Sequence, residues 1–308
     1  MKIIRDLSDY NLASPTVLTL GTFDGIHLGH SELLHQLVTY AQQHNLPSVV
    51  LSFWPHPRMV LQPEYKSLRL LNTIDEKIEI LSNYNINYLV FIPFDKDFSQ
   101  INYLDFIRNI LISTFNVQHL IIGYDHHFGR NREGNYDSLL ECAPIFNYSI
   151  SQVGPFSKDF VDISSTKIRN ALKLGEVELA NSYLGYKYFL TGTVIQGKQL
   201  GRELGFPTAN LDIESYKLIP ADGLYIVEML VEGKWEKGLA SIGTNPTFGE
   251  SKLSVEVYLF EFKKQIYNQK VQLQFWKFIR KQLTFVDVNE LITQMKIDES
   301  VGRDFFLI

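Results

Sequence analysis

The sequence predicts two compact units: an α/β half built on a parallel sheet, then an antiparallel β half of barrel or sandwich type closed by a helix. Three observations predict this. The chain has 308 residues, about twice the usual length of a single domain. Its first half alternates short apolar runs with stretches of helical periodicity, the pattern of strands covered on both faces by helices. From about Tyr188 the texture turns to β-rich runs separated by turn residues, the pattern of an antiparallel barrel or sandwich. The boundary is expected near Gly185, and no internal repeat relates the halves.

In the first half, Val17 to Leu20, Ser48 to Phe53, Tyr88 to Pro93 and His119 to Ile122 read as strands. Glu32 to Gln43, Asp75 to Asn83 and Tyr103 to Thr114 read as the intervening helices. In an open parallel sheet ligands sit beyond the carboxyl ends of the strands, so the loops after Leu20, Phe53, Pro93 and Ile122 are where chemistry is expected. In the second half, strands are expected over Phe189 to Gln196, Gly223 to Val231, Lys237 to Ile242, Leu253 to Phe262 and Lys270 to Lys281. Leu291, Ile292, Met295 and Val301 recur at helical spacing, so Val288 to Phe305 reads as the closing helix.

Composition bounds the partners. Hydrophobic residues form 45% and charged residues 20% of the chain, which excludes a disordered or low-complexity protein. A net charge of −5 argues against nucleic acid, because affinity for a phosphate backbone needs clustered Lys and Arg. Cys142 is the single cysteine, so neither an intramolecular disulfide nor a cysteine-rich zinc site is available. Asp6 and Asp9 fall where a signal peptide would need an apolar core, and no apolar run approaches membrane-spanning length. A soluble, cytoplasmic protein with no membrane partner is expected.

The first chemical constellation is Gly21-Thr22-Phe23-Asp24-Gly25-Ile26-His27-Leu28-Gly29-His30, between an apolar strand and a helix. Gly21 and Gly25 permit close backbone approach, and the helix start offers unpaired N–H groups to an anion. His27 and His30 are three apart, so both rings can reach one ligand and stabilise charge developing on a phosphate without a covalent intermediate. An isolated HxxH pair is more often one capping and one solvated histidine; the glycines and the location favour the phosphate reading. Ile163-Ser164-Ser165-Thr166-Lys167-Ile168-Arg169 is the second element, where Ser164 or Ser165 can cap a helix running through Leu172 and Arg169 suits a triphosphate.

The first of these segments resembles the HxGH signature of the nucleotidylyltransferase superfamily, and GTFDGIHLGH as a whole resembles its FAD synthetase branch. ISSTKIR matches the second signature of that superfamily. The resemblance implies a Rossmann-like parallel-sheet domain over residues 1–184 that adenylylates FMN, with His27 and His30 catalytic. It further implies that Gly21, Phe23, Gly29, Asp125, Ser164, Ser165, Thr166 and Arg169 bind nucleotide. Phe53-Trp54-Pro55-His56-Pro57-Arg58 resembles the PHP segment of the branch, which implies flavin contacts from Pro55, His56, Pro57 and Arg58; alone it reads as a proline-terminated strand end. Gly123-Tyr124-Asp125-His126-His127-Phe128-Gly129 resembles the GxDFxFG loop, and by itself would be a solvated loop.

Gly197 to Asn210, ending GRELGFPTAN, is glycine-rich but has neither Walker nor Rossmann spacing. It resembles the PTAN signature and flap of riboflavin kinases, which implies a β-barrel kinase domain over residues 185–308. By that resemblance Thr208 and Asn210 hold Mg²⁺, Gly197, Gly201 and Asn210 bind ATP, and Phe206 contacts flavin. Hard oxygen donors are what Mg²⁺ takes. In Ser254 to Leu259 alternation puts Glu256 opposite Val255, Val257 and Leu259. Most such glutamates face water, but the strand resembles the one bearing the kinase general base, so Glu256 is expected to accept the ribityl hydroxyl proton. Gly243 to Gly249 resembles the GxxPTF loop and Asp222 to Tyr225 the DGVY strand start. One departure is that the family's Arg-x-Glu reads Arg280-Lys281-Gln282 here.

The expected function is therefore bifunctional: riboflavin to FMN in the second half and FMN to FAD in the first, with ATP as co-substrate and Mg²⁺ as cofactor. Riboflavin, FMN, FAD and ATP are the expected small-molecule partners. An adenylyltransferase for another phosphate acceptor with an appended β domain would explain HxGH and ISSTKIR, but not GRELGFPTAN with Glu256. A non-catalytic flavin or nucleotide sensor would be expected to have lost the catalytic groups, which are all present.

Overall fold

A computed structural model of the protein describes residues 1–61, 68–158, 161–197, 201, 204–244 and 253–308. The chain divides into two compact units, Met1–Ser165 and Thr166–Ile308.

The first unit is a parallel sheet. Its strands are β1 (Lys2–Ile4), β2 (Thr16–Leu20), β3 (Ser48–Trp54), β4 (Tyr88–Pro93), β5 (Val117–Gly123) and β6 (Ser149–Val153), in the order β1-β4-β3-β2-β5-β6. All pairings are parallel. β2 is buried along its whole length, which explains why it reads as a continuous apolar run and not as an alternating one. Helix α1 (Leu28–His44) buries Leu33, Leu34, Leu37 and Ala41 on one core, together with Val17, Val50, Leu89 and Ile121. A second core holds Leu18, Leu20, Leu51, Val90 and Ile122. Alternate residues of the same strands thus feed different cores, as period-two side chains must. Short α2 (Pro57–Leu61) and α3 (Ile74–Ser82) follow β3.

The strand order reverses at β2: the chain goes from β2 to β3 on one side and later to β5 on the other. Such a switch point opens a crevice at the carboxyl ends of the strands. The turn after Leu20 is therefore the best-placed loop of the sheet.

The helix expected over Tyr103 to Thr114 begins as α4 (Tyr103–Asp105) and continues as a π-helix over Phe106–Thr114. Ser113 Oγ donates to Arg108 O and Thr114 Oγ1 to Asn109 O, while Phe115 N donates to Ile110 O. Each spans five residues, so hydroxyls and backbone reinforce the wider register. β1, β6, α5 (Tyr136–Phe146) and the small pair β7 (Ser157–Lys158) with β8 (Val161–Asp162) were not anticipated from the sequence.

The second unit opens with α6 (Ser165–Lys173), whose first residue ends the first unit, and α7 (Val177–Leu184). Strands β9 (Phe189–Ile195), β10 (Thr208–Ile213), β11 (Gly223–Val231), β12 (Lys234–Gly243), β13 (Ser254–Leu259) and β14 (Lys270–Arg280) close into a barrel in the order β10-β13-β12-β11-β14-β9. Closure decides between the barrel and sandwich alternatives and leaves no free sheet edge. Strand β10 was seen in the sequence only as a signature. Tyr188, Tyr225 and Phe275 are among the largest fully buried side chains, and Tyr225 meets Phe275 edge-on at 5.3 Å. The C-terminal helix α8 (Val288–Phe306) starts at the Asp287 cap, whose carboxylate accepts from Asn289 N and Glu290 N. Arg280 and Asp298 join it to β14 by a bidentate pair, Nε–Oδ1 3.0 Å and Nη2–Oδ2 2.6 Å.

Candidate functional sites

Leu20 ends β2, and the chain then turns through residues that L side chains rarely allow. Gly25 has φ +91°, and Phe23 and Ile26 have φ of +46° and +39° although neither is glycine. A β-branched residue at positive φ is an outlier, and such backbone persists only where surroundings over-determine it. Here the 71–77 segment does so. The Asp24 carboxylate accepts from Leu71 N at 2.9 Å and Asn72 N at 3.3 Å, and Asn72 Oδ1 accepts from Gly25 N at 2.8 Å. Lys77, reaching in from α3, donates to Thr22 O at 2.6 Å.

At the end of this turn His27 is the N-cap of α1, its Nδ1 accepting from His30 N at 3.4 Å. A ring that accepts at Nδ1 and is neutral carries its proton on Nε2. His30 stacks on His27 with centroids 3.8 Å apart and planes 19° apart, and Phe23 lies tilted against the His30 ring with centroids 5.3 Å apart. Burial pushes His27 down to about 4, against the opposing pull of Asp125 and Asp24. Burial, then His27 and Lys77, holds His30 well below the ordinary histidine range. Both rings are neutral at pH 7. His30 Nδ1 is buried with no hydrogen-bond partner among the described residues.

Ser165 Oγ donates to Asp24 O at 2.8 Å, tying the start of ISSTKIR to the signature turn. The helix starts at Ser165, so Ser164 stands at the cap position. Thr166 is exposed and Arg169 buried. Gly29 lies against the His27 ring, where an added Cβ would stand 3.3 Å from it, and one at Gly21 would stand 3.3 Å from the Phe23 ring. Phe23 itself is buried, so its ring serves packing and only its backbone faces the turn. Asp125 is exposed after β5. Pro55 follows Trp54 through a cis peptide bond, and buried His56 accepts from Arg58 N at 3.2 Å through Nδ1, just where α2 begins at Pro57. Sequence reasoning singled out neither Asn72 nor Lys77. The Thr73-x-x-Glu76 capping box, present in the structure, was the legible signal that a fixed helix start follows.

In the second unit, antiparallel pairing of β10 with β13 sets Asn210 directly opposite Glu256 and Thr208 opposite Tyr258. Thr208 and Asn210 are two apart and share a face, and Thr208 Oγ1 donates to Glu256 Oε2 at 3.2 Å. Val255, Val257 and Leu259 turn into the barrel while Glu256 remains half-buried on the other face. Gly197 lies under the Asn210 amide: a Cβ there would stand 2.2 Å from Asn210 Nδ2. Gly201 accepts from Phe206 N at 2.7 Å, and its Cβ would stand 2.3 Å from Phe206 O. Phe206 is buried and meets Tyr258 at 5.3 Å. The sequence-predicted residues Gly197, Gly201, Phe206, Thr208, Asn210 and Glu256 thus form one surface. Lys198 to Leu200, Arg202, Glu203 and Asn245 to Gly249 lie outside the described residues.

A hydroxyl, an amide oxygen and a carboxylate on adjoining strands are hard donors of the kind Mg²⁺ accepts beside phosphate oxygens. Among the described residues no group of three or more His, Cys, Asp or Glu could hold a metal unaided. The Thr208 hydroxyl and the Asn210 amide oxygen match the oxygen donors that Mg²⁺ takes. Gln282 donates through Nε2 to Ser241 Oγ at 3.0 Å and Ile242 O at 2.9 Å; a carboxylate could accept from the Ser241 hydroxyl but could not bond the Ile242 carbonyl. The departure from Arg-x-Glu is thus used as a double donor to β12.

Comparison with known proteins agrees with both halves. The FAD synthetase family model matches residues 10–167 and the riboflavin kinase family model residues 184–306. A bifunctional riboflavin kinase/FMN adenylyltransferase of Listeria monocytogenes is 38% identical over 292 residues, covering 94% of this chain and 92% of its own. Its counterpart in Escherichia coli K12 is 34% identical, covering 99% and 98%. A crystal structure from Streptococcus pneumoniae, of a protein described as a macrolide-efflux protein, superposes with a TM-score of 0.90 at 31% identity over 98% of each chain. In this chain no described helix is long and apolar enough to cross a membrane.

Proposed function

The chain belongs to the bifunctional riboflavin kinase/FMN adenylyltransferase family, and from that membership we propose which residues carry each reaction. It phosphorylates riboflavin to FMN with ATP and adenylylates FMN to FAD with release of pyrophosphate. We assign adenylyl transfer to residues 1–184 and the kinase to residues 185–308.

In the kinase half Glu256 accepts the proton from the ribityl 5′-hydroxyl as that oxygen bonds to the γ-phosphorus of ATP and the bond to the β–γ bridging oxygen breaks, releasing ADP. Thr208 and Asn210 would hold Mg²⁺, which would supply neutralisation of charge on the transferred phosphoryl group. The Thr208–Glu256 hydrogen bond is the observation that supports this reading, with Asn210 opposite Glu256 on the paired strand. Gly197 and Gly201 let the chain pass close to them.

In the adenylyltransferase half a phosphate oxygen of FMN attacks the α-phosphorus of ATP and pyrophosphate leaves. His27 donates from Nε2 to the oxygens gaining charge, and His30, stacked beneath it, shares that work, so catalysis is positioning and electrostatics. Gly21, Phe23, Gly29, Asp125, Ser164, Ser165, Thr166 and Arg169 are assigned to nucleotide, and Pro55, His56, Pro57, Arg58 and, in the kinase half, Phe206 to flavin. A cytoplasmic location belongs to the same proposal, supported by the lone, free Cys142.

Glu256→Gln tests the division, since it keeps shape and removes the base. FMN formation from riboflavin is expected to stop while FAD synthesis from supplied FMN persists. An equal fall in both reactions would overturn the assignment.

A further inference from the structure

We propose that Lys77 is a positioning residue for adenylyl transfer: with Asp24 and Asn72 it clamps the strained turn that carries His27 and His30. The proposal rests on the assignment of those histidines to the reaction. Lys77 is 7% exposed, unusual for a lysine outside an ion pair. Its ammonium donates to Thr22 O at 2.6 Å and Ser52 Oγ at 3.4 Å and stands 6.0 Å from the centre of the Phe91 ring. One side chain from α3 thus ties the turn after β2 to the end of β3, over a ring from β4.

The backbone explains why a tie is needed. Phe23 and Ile26, on either side of Asp24 and Gly25, both hold positive φ, a conformation that persists only where the surroundings over-determine it. Without restraint the turn would relax, and the cap that fixes His27 would relax with it. Three restraints enter from residues 71–77: main-chain N–H groups to Asp24, the Asn72 side chain to Gly25 N, and Lys77 to Thr22 O. Thr73 and Glu76 close a capping box that fixes the segment supplying them.

The ammonium also bears on the rings electrically. The charged and titratable groups that interact with it are Asp24 from the turn and His30 at the start of α1. Burial first, then His27 and the positive charge of Lys77, oppose protonation of His30. Burial in turn draws Lys77 down to about 8, against Asp24.

The test is Lys77→Met and Lys77→Arg in the full chain, with His30→Ala alongside. Adenylylation of FMN is followed over pH, and riboflavin phosphorylation serves as the control. The Met variant is expected to lose about 100-fold in kcat, with KM for FMN and ATP within about threefold and the kinase unchanged. Its acid limb moves to higher pH, and Arg recovers part of the rate. A kcat within twofold of the parent, or parallel loss of both reactions, would overturn the clamp. If the Met variant does not fold, Asn72→Ala replaces it; an unchanged adenylylation kcat there is equally fatal. Should His30→Ala retain full activity, the histidine assignment itself fails; loss in His30→Ala with an intact Lys77→Met sinks only the clamp.

Discussion

The main-chain N–H of His30 donates to Nδ1 of His27 at 3.4 Å, so a single contact caps α1 and selects the tautomer of the adjacent ring. His27 needs no separate partner to present an Nε2–H. The bland reading of an HxxH pair, in which one histidine caps a helix, is true of His27 and is also what aims it.

His30→Ala is therefore expected to halt the flavin at FMN. Removing one donor of a charge-stabilising pair typically lowers kcat by about 10²- to 10³-fold. Riboflavin phosphorylation by the same protein should be unchanged. FAD accumulating at the parent rate would remove His30 from the reaction.

Gly197→Ala should impair the kinase alone. The new Cβ would lie 2.2 Å from Asn210 Nδ2, so the amide must turn away from the position opposite Glu256. A lower apparent Mg²⁺ affinity with retained adenylylation is the expected result, read from initial rates against metal concentration. Parent-like metal dependence would separate Asn210 from the metal.

Stability should fall with acid through His119. This residue is 4% exposed; its Nδ1 bonds Ser149 Oγ at 2.6 Å and its Nε2 Ser151 Oγ at 2.9 Å, and Tyr40 stacks on it at 3.8 Å. Burial, then the charge of His44, lowers it from 6.5 to about 4. Between those values the unfolded chain binds the extra proton, so stability rises with pH across the window. The contribution is complete above about pH 6.5 and is lost as pH falls toward 4, on the order of 2–3 kcal/mol. Denaturant midpoints at pH 7 and pH 5 measure it, and His119→Gln should flatten the difference in part, leaving the share of His27 and His126. An unaltered slope in that variant would show that His119 is not the group titrating.

Asp298→Ala should destabilise the second unit by roughly 3 kcal/mol, the range for a buried pair that loses one partner. Asp298 is almost wholly buried, while the side chain of Arg280 is 22% exposed, which keeps the effect toward the low end. Thermal unfolding would register it, and a melting curve superposable on the parent would show that the pair contributes nothing.

Much of this was legible in the sequence. Apolar runs located β2 to β5 of the sheet and most barrel strands, because strands buried on both faces or alternating cleanly leave a periodic trace. The signatures drew attention to His27, His30, Thr208, Asn210 and Glu256, the residues to which the two reactions are assigned, because signatures are patterns of local spacing. What was not legible depends on chain crossing. Lys77 sits in a helix rich in charge and reads as a solvated position; only tertiary packing carries its ammonium to Thr22. Asn72 and Gln282 are single polar residues whose donors and acceptors are set by distant backbone. β10 was hidden inside a signature, and the π register of Phe106–Thr114 lies in hydrogen bonds that no side-chain period announces.

One chain performs both reactions in sequence, and incubating it with riboflavin, ATP and Mg²⁺ and separating the flavins over time tests this most directly. FMN is expected to rise first and then decline as FAD accumulates. Riboflavin that stays unchanged while supplied FMN is also left unconverted would contradict it.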